Sequence, residues 1–220
     1  MVAPATSSDG ALIARPLVGA ITVDGVLDEP SWNTATAGAI DRDYAGVAVT
    51  SPETAVRIVW APDALYLAFD GSFVGPLTAP DTATDVEAEN LYAYDVVELF
   101  VDPEPASPGT YRELEFGLRG HALDLAIDRS ARPRGDGAWS SGSVHAARVD
   151  EPHARFSIEA RIPAAAFERA TLAPGEWRVG VYRVTGHSPA PRVYLARFPT
   201  LTARPSFHVP ERFGVLRLRP

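Results

Sequence analysis

The chain contains no cysteine and no lysine. Without cysteine there is no disulfide framework, no thiolate metal site and no thiol nucleophile. Without lysine there is no Schiff-base chemistry and no amine general base; all 20 basic residues are arginine. That usage, with abundant Ala and Pro, points to a GC-rich bacterial genome. Basic charge is in short supply: the 28 acidic residues leave a net charge of −8. Nucleic acid is therefore not an expected partner, because phosphates need a basic footprint. An anionic membrane surface is not expected either. Neutral ligands and bound cations remain compatible with this balance. No apolar run reaches the roughly 18 residues of a membrane span. The opening MVAPATSSDG lacks the basic and apolar regions of a signal peptide. It reads as a disordered polar leader over residues 1–10, the stub of a removed export signal, so the expected location is extracytoplasmic, periplasmic or secreted. The nucleophile elbow G-x-S-x-G, the P-loop, H-E-x-x-H and G-x-G-x-x-G are all absent. His121, His145, His153, His187 and His208 are scattered without metal-ligand spacing; only His208, beside Phe207 in a proline-fixed loop, invites a test.

What is present is a period of two. Segments such as AVRIVWA, ALYLAFDGSF, DVVELFVD, YRELEFGLRG, RFSIEARIP and WRVGVYRVTG alternate or form short apolar runs, separated by clusters of Pro, Gly, Asp and Ser. Twelve such segments predict an all-β, two-sheet antiparallel β-sandwich. No linker divides it, so one domain is expected over residues 11–220, as a monomer. Helical pattern is confined to Glu29–Ala37, with Asp28 as cap and Pro30 in the first turn, and to Pro163–Arg169. Arg132–Gly142 reads as a surface loop, and Asp81–Asn90 as an acidic loop before the central strand.

Within Asp95–Asp102, alternation puts Val96, Glu98 and Phe100 on one face. Glu98 is a carboxylate among large apolar neighbours, and burial is costly without a partner. It either pairs with an arginine of a neighbouring strand or binds a ligand. In Tyr111–Gly120, the residues Tyr111, Glu113 and Glu115 share a face that is either a polar exterior or an acidic cleft beside Glu98. In Trp177–Thr185, Arg183 is a candidate partner for Glu98 or Glu115. Tyr92, Tyr94 and Phe207 lie on loops; rings there either plug the sandwich end or stack on a sugar, whose hydroxyls carboxylates and arginine can bind. No cofactor is required. Calcium is the ion that acidic strand ends would hold structurally, with Asp70 and Asp95 as candidate ligands.

Several segments are also similar to the family 9 carbohydrate-binding modules: ITVDGVLDEPSWNTA (Ile21–Ala35), AVRIVWAPDALYLAF (Ala55–Phe69), YDVVELFVDP (Tyr94–Pro103), YRELEFGLRG and FHVPERFGVLRL (Phe207–Leu218). The resemblance runs from about Ile21 to the end. It implies a DOMON-like sandwich in which two aromatic rings enclose a terminal sugar and polar residues bind its hydroxyls. Motif position assigns the rings to Tyr92 and Phe207, and the polar positions to Glu98, Glu115 and Arg183. Both rings replace expected tryptophans, Glu115 stands where sugar-binding members can carry Arg, and Arg183 where they can carry an amide. It also implies a structural calcium. The ligand set expected is therefore Tyr92, Glu98, Glu113, Glu115, Arg183, Phe207 and His208, with carbohydrate or another small polar molecule as partner. An enzyme using Glu98, Glu115 and His208 as acid–base groups is the alternative. A haem domain, the third possibility in DOMON relatives, lacks an axial Met other than Met1.

Overall fold

The computed structural model describes residues 10–104, 109–186 and 192–220. Except for Gly10, the expected leader lies outside the described residues, as does His187. The strands are β1 (Leu12–Pro16), β2 (Gly38–Ala39), β3 (Arg42–Asp43), β4 (Thr54–Ala61), β5 (Ala64–Ser72), β6 (Val96–Asp102) and β7 (Thr110–Gly117), followed by β8 (Ala122–Asp128), β9 (Gly135–Asp136), β10 (Val144–Asp150), β11 (Arg155–Pro163), β12 (Gly175–Thr185), β13 (Val193–Ala196) and β14 (Gly214–Leu218).

These build the expected sandwich. The first sheet runs β14-β12-β6-β7-β8-β9, with β13 on β12 and β3 on β13; the second runs β10-β11-β5-β4, with β2 on β4. Strand β1 belongs to both. Leu12–Ala14 pair with β14, and Arg15–Pro16 pair with β4, in each case parallel. Every other strand pairing among the described residues is antiparallel.

Alternation explains the core. Val97, Leu99 and Val101 of β6 and Val179 and Val181 of β12 meet Ile58, Leu67, Phe69, Ile158 and Ile162 from the second sheet. Each large side chain so buried contributes about 1.5–3 kcal/mol. Two strands break the alternation because both of their faces are covered. In β5, Ala64, Tyr66 and Ala68 pack outward against Trp32 and Ala35. In β6 all residues are buried, since Ala88, Leu91, Phe207 and Phe213 roof its outer face.

Helix is scarce, as expected. The α1 turn is Pro30–Thr34, capped by Glu29 and not by Asp28, and without a side-chain capping bond. The Glu29 carboxylate instead accepts from the Thr22 N–H at 2.9 Å. Over Pro163–Arg169 only a 3-10 turn forms, Ala164–Phe167. The loop 132–142 contains β9, which pairs with β8.

The Val-Asp-Gly…Trp opening has a mechanical role. Glu159, on the outer face of the second sheet, accepts from the Asp24 N–H at 3.0 Å, the Gly25 N–H at 2.8 Å and Trp32 Nε1 at 2.7 Å. One carboxylate thus clasps both ends of the motif against β11.

Candidate functional site

The outer face of the first sheet carries three carboxylates side by side. Register places Glu98 of β6 between Glu115 of β7 and Tyr182 of β12. It places Phe100 between Glu113 and Gly180. The face left open between exterior and cleft is therefore the one shared with Glu98. All three acids are at least 96% inaccessible: Glu98 is 2%, Glu113 4% and Glu115 1% exposed. Like charges directly opposite across strands are destabilising, and burial adds to that.

The charges respond accordingly. Burial, and then the neighbouring acids, hold Glu98 and Glu113 well above the usual carboxylate range. Burial pushes Glu115 up to about 7, against hydrogen bonds from Glu113 and the Tyr92 N–H that favour its ionised form. Glu98 Oε1, Glu113 Oε2 and Glu115 Oε2 receive no hydrogen bond, although all three are buried. Buried polar atoms normally have partners, so this floor is chemically unsaturated.

Aromatic rings surround it. Phe100 stacks on Tyr111 with centroids 5.6 Å apart and meets Tyr182 edge-on at 5.3 Å. Tyr182 stacks on Phe207 at 4.1 Å, nearly parallel at 4°. Gly180 makes this possible, since a Cβ there would lie 2.4 Å from the Tyr182 ring. Tyr111 Oη and His208 Nδ1 are 2.8 Å apart, and His208 Nδ1 lies 3.9 Å from Glu113 Oε2. Burial, followed by the Arg134 charge, keeps His208 below its ordinary value. Tyr92 is 51% exposed.

Two cavities open over the floor. One of about 240 Å³ lies between Tyr92, Tyr194, Phe207 and His208 above Glu98 and Glu113. The other, about 710 Å³, lies over Glu113 and Glu115 and is bordered by Glu87, Arg134 and Gly137. Tyr92, Glu113 and His208 line both. The loops 81–90 and 132–142 thus supply walls to this site.

The structure brings together Tyr92, Glu98, Glu113, Glu115, Phe207 and His208, and separates Arg183 from them. Arg183 pairs in register with Val97 and so points into the space between the sheets. It is wholly buried there. Its Nη1 donates to Thr54 Oγ1 at 2.5 Å and the Glu53 carbonyl at 3.2 Å, and its guanidinium lies 4.8 Å over the Phe156 ring. Burial pulls it down to about 10. The physical reason is parity: Arg183 shares a face with Val179 and Val181, while the site face of β12 holds Gly180 and Tyr182. Nε and Nη2 have no partner, so Arg183→Met should hold or raise the Tm in a thermal melt, a hydrophobe of similar length being tolerated where a buried cation is poorly met. Phe207 departs differently. It is 7% exposed and gives one ring face to Tyr182, so Tyr92 is the ring that stands free.

Neither calcium candidate suits the ion. Asp95 accepts from Thr78 N at 2.8 Å, Thr78 Oγ1 at 2.7 Å, Thr185 Oγ1 at 2.9 Å and Gly186 N at 3.2 Å. Asp70 is paired with Arg57 and lies 3.5 Å from Arg155, in a separate groove of about 640 Å³ on the second sheet. Calcium needs oxygens whose lone pairs are free, and here they face donors and guanidinium groups. No group of three His or acidic residues among the described residues has a metal-binding arrangement.

Sequence reasoning missed Phe100, Tyr182 and Tyr194 as site walls. The signal was available for Tyr182, in the mid-strand glycine two positions before it.

A family model described as carbohydrate family 9 binding domain-like matches residues 23–219. A putative carbohydrate-binding protein from Bacteroides uniformis superimposes with a TM-score of 0.76 at 18% identity, covering 95% of this chain and 99% of that one. A family 9 carbohydrate-binding module from Caldicellulosiruptor kristjanssonii, in complex with cellotriose, gives a TM-score of 0.69 at 15% identity, covering 95% and 93%. A glucose complex of a family 9 module from the same organism gives 0.68 at 16%, covering 94% and 95%. No curated protein matches by sequence. No helix among the described residues is long and apolar enough to cross a membrane.

Proposed function

Because this chain belongs to the carbohydrate family 9 binding domain-like family, we propose that it is a carbohydrate-binding domain gripping a terminal sugar or small polyol on the outer face of its first sheet. The observation that carries this reading is the set of buried carboxyl oxygens without partners at the floor of an aromatic-walled cavity. Protonated Glu98 and Glu113 would donate hydrogen bonds to a hydroxyl, and ionised Glu115 would accept one. Tyr92 supplies the ring for the apolar face of the sugar, and Phe207 acts through Tyr182 to hold the wall. The cellotriose and glucose found in the two modules of similar fold support sugar as the ligand class. Under this reading the domain works as a monomer outside the cytoplasm and requires no cofactor. The carboxylates also favour binding over hydrolysis: a glycosidase pair flanks the scissile bond, whereas these three share one sheet face.

Titration calorimetry against a panel of mono- and oligosaccharides should give saturable binding. Tyr92→Ala should weaken it about tenfold through lost stacking, and Arg183→Met should leave it unchanged. Absence of binding to every sugar would overturn the reading.

A further inference from the structure

A floor of three buried acids is a poor match for a purely neutral sugar. Each hydroxyl has one donor and two acceptor lone pairs, and amides or an acid–arginine pair would meet both with less desolvation. Here Arg183 lies on the opposite sheet face. Of the cations at the rim, Arg192 donates to the Tyr92 carbonyl and lies 5.1 Å over the Tyr194 ring; its charge is felt by Glu98, but neither Arg192 nor Arg134 donates to the three orphaned oxygens. The three orphaned oxygens therefore have no cationic donor of the protein's own.

A bare ion is not the complement, since the acids have no metal-binding arrangement. Glu113 and Glu115 are two residues apart on one strand, about 7 Å along it, with Glu98 across from Glu115. That spread suits a ring-sized molecule carrying a positive group. An alkylammonium offers three N–H donors and no acceptor. The surrounding rings of Tyr92, Phe100 and Tyr194 favour a cation as well.

Building on the sugar-binding reading, we propose that the cleft selects sugars bearing a protonated amino group over neutral sugars. Glu113 lines both cavities and marks where the ammonium sits; Glu98 and Glu115 complete the acceptors for its N–H groups, the carboxyls giving up their protons to solvent as the cation binds. The chemical class is amino sugars and polymers that expose them, such as deacetylated chitin fragments.

Calorimetry on the full chain at pH 7 with glucosamine hydrochloride, glucose and N-acetylglucosamine tests this. Glucosamine should bind roughly tenfold tighter or more than either neutral sugar, the increment of a charge-assisted hydrogen bond. Glu113→Gln and Glu115→Gln, near-isosteric and checked for folding by thermal melt, should each shrink that ratio toward one, while Arg183→Met should preserve it. Equal affinity for glucosamine and glucose in the wild type, with Tyr92→Ala still weakening both, overturns amine selection and leaves sugar binding standing. Preference persisting in both glutamine variants also overturns it. No binding to any of the three overturns amine selection, and only failure across the whole mono- and oligosaccharide panel overturns sugar binding as well.

Discussion

Raising the pH from below 4.5 to above 7 should destabilise the ligand-free protein by about 3 kcal/mol, opposite to the usual behaviour of a protein with salt-bridged carboxylates. Glu115 rises from 4.5 to about 7 on folding, and a rise of that size corresponds to about 3 kcal/mol. The folded state then holds its proton more tightly than the unfolded chain, so stability falls with pH wherever the folded state binds more protons. The contribution is fully present below about 4.5 and is lost as the pH climbs through about 7. Glu98 and Glu113 shift in the same direction and add to the loss. Four groups oppose it weakly, among them Asp128 and Glu211, which are held low by hydrogen bonds with Ser130 and Arg129 at the surface. Asp63 is lowered by its hydrogen bond with Arg161 and favours the folded state as pH rises through the acid range, but it is largely exposed. His208, lowered by burial, does the same near neutrality, and its side chain is about half exposed.

Calorimetric melts at pH 5 and pH 8 should therefore differ by roughly 6–12 °C for a domain of this size, with the lower Tm at pH 8. Glu115→Gln removes one shifted proton and relieves both neighbours, so its Tm should exceed that of the wild type at pH 8 and fall less than the wild type's between the two conditions. A wild-type Tm that holds or rises between pH 5 and 8 would show that these acids are solvated and ordinary. The instability also has a functional sense. Groups that cost free energy in the empty protein and recover it with a ligand are expected at binding sites.

How much of this was legible beforehand follows from parity. Period-two alternation placed Glu98, Glu113 and Glu115 on their faces correctly, because side-chain direction in a strand depends on residue number alone. The same rule applied to Trp177–Thr185 already set Arg183 with Val179 and Val181. Its charge suggested a site role, but its parity is that of the core, where Thr54 and the Phe156 ring accommodate it. Whether the acidic face was covered could not be read from the strands, since the cover is long-range: Leu91 and Phe207 lie far apart in sequence and meet over β6. The stacking of Phe207 on Tyr182 was hidden for the same reason. The acidic strand ends resembled calcium ligands by composition, but their donors, Thr78 and Thr185 for Asp95 and Arg57 for Asp70, come from other segments. The helix cap shifted by one residue because Glu29 caps through its backbone and spends its carboxylate on Thr22.

The second large effect lies at the other sheet. Glu159→Ala should cost about 3 kcal/mol or more, lowering the Tm by roughly 6–12 °C. Glu159 is fully buried, and its two oxygens accept from the Asp24 and Gly25 N–H groups and from Trp32 Nε1. Truncation orphans three donors at once, and each buried one costs about 1–3 kcal/mol. It also loosens Trp32, whose ring packs with Val59, Tyr66 and Ala68 over the outer face of β4 and β5. Graded variants separate the contributions. Trp32→Phe keeps most of the ring and removes one donor, so it should cost about a third as much. Glu159→Gln keeps one acceptor oxygen but turns an amide N–H toward former donors, so it should fall between Trp32→Phe and Glu159→Ala. Sugar affinity should be unchanged in all three, because the clasp and the acidic floor lie on opposite outer faces of the sandwich. A Glu159→Ala variant as stable as the wild type would mean that the Val-Asp-Gly…Trp segment is held by packing alone. The motif would then owe its place in the fold to Trp32 and not to the carboxylate beneath it.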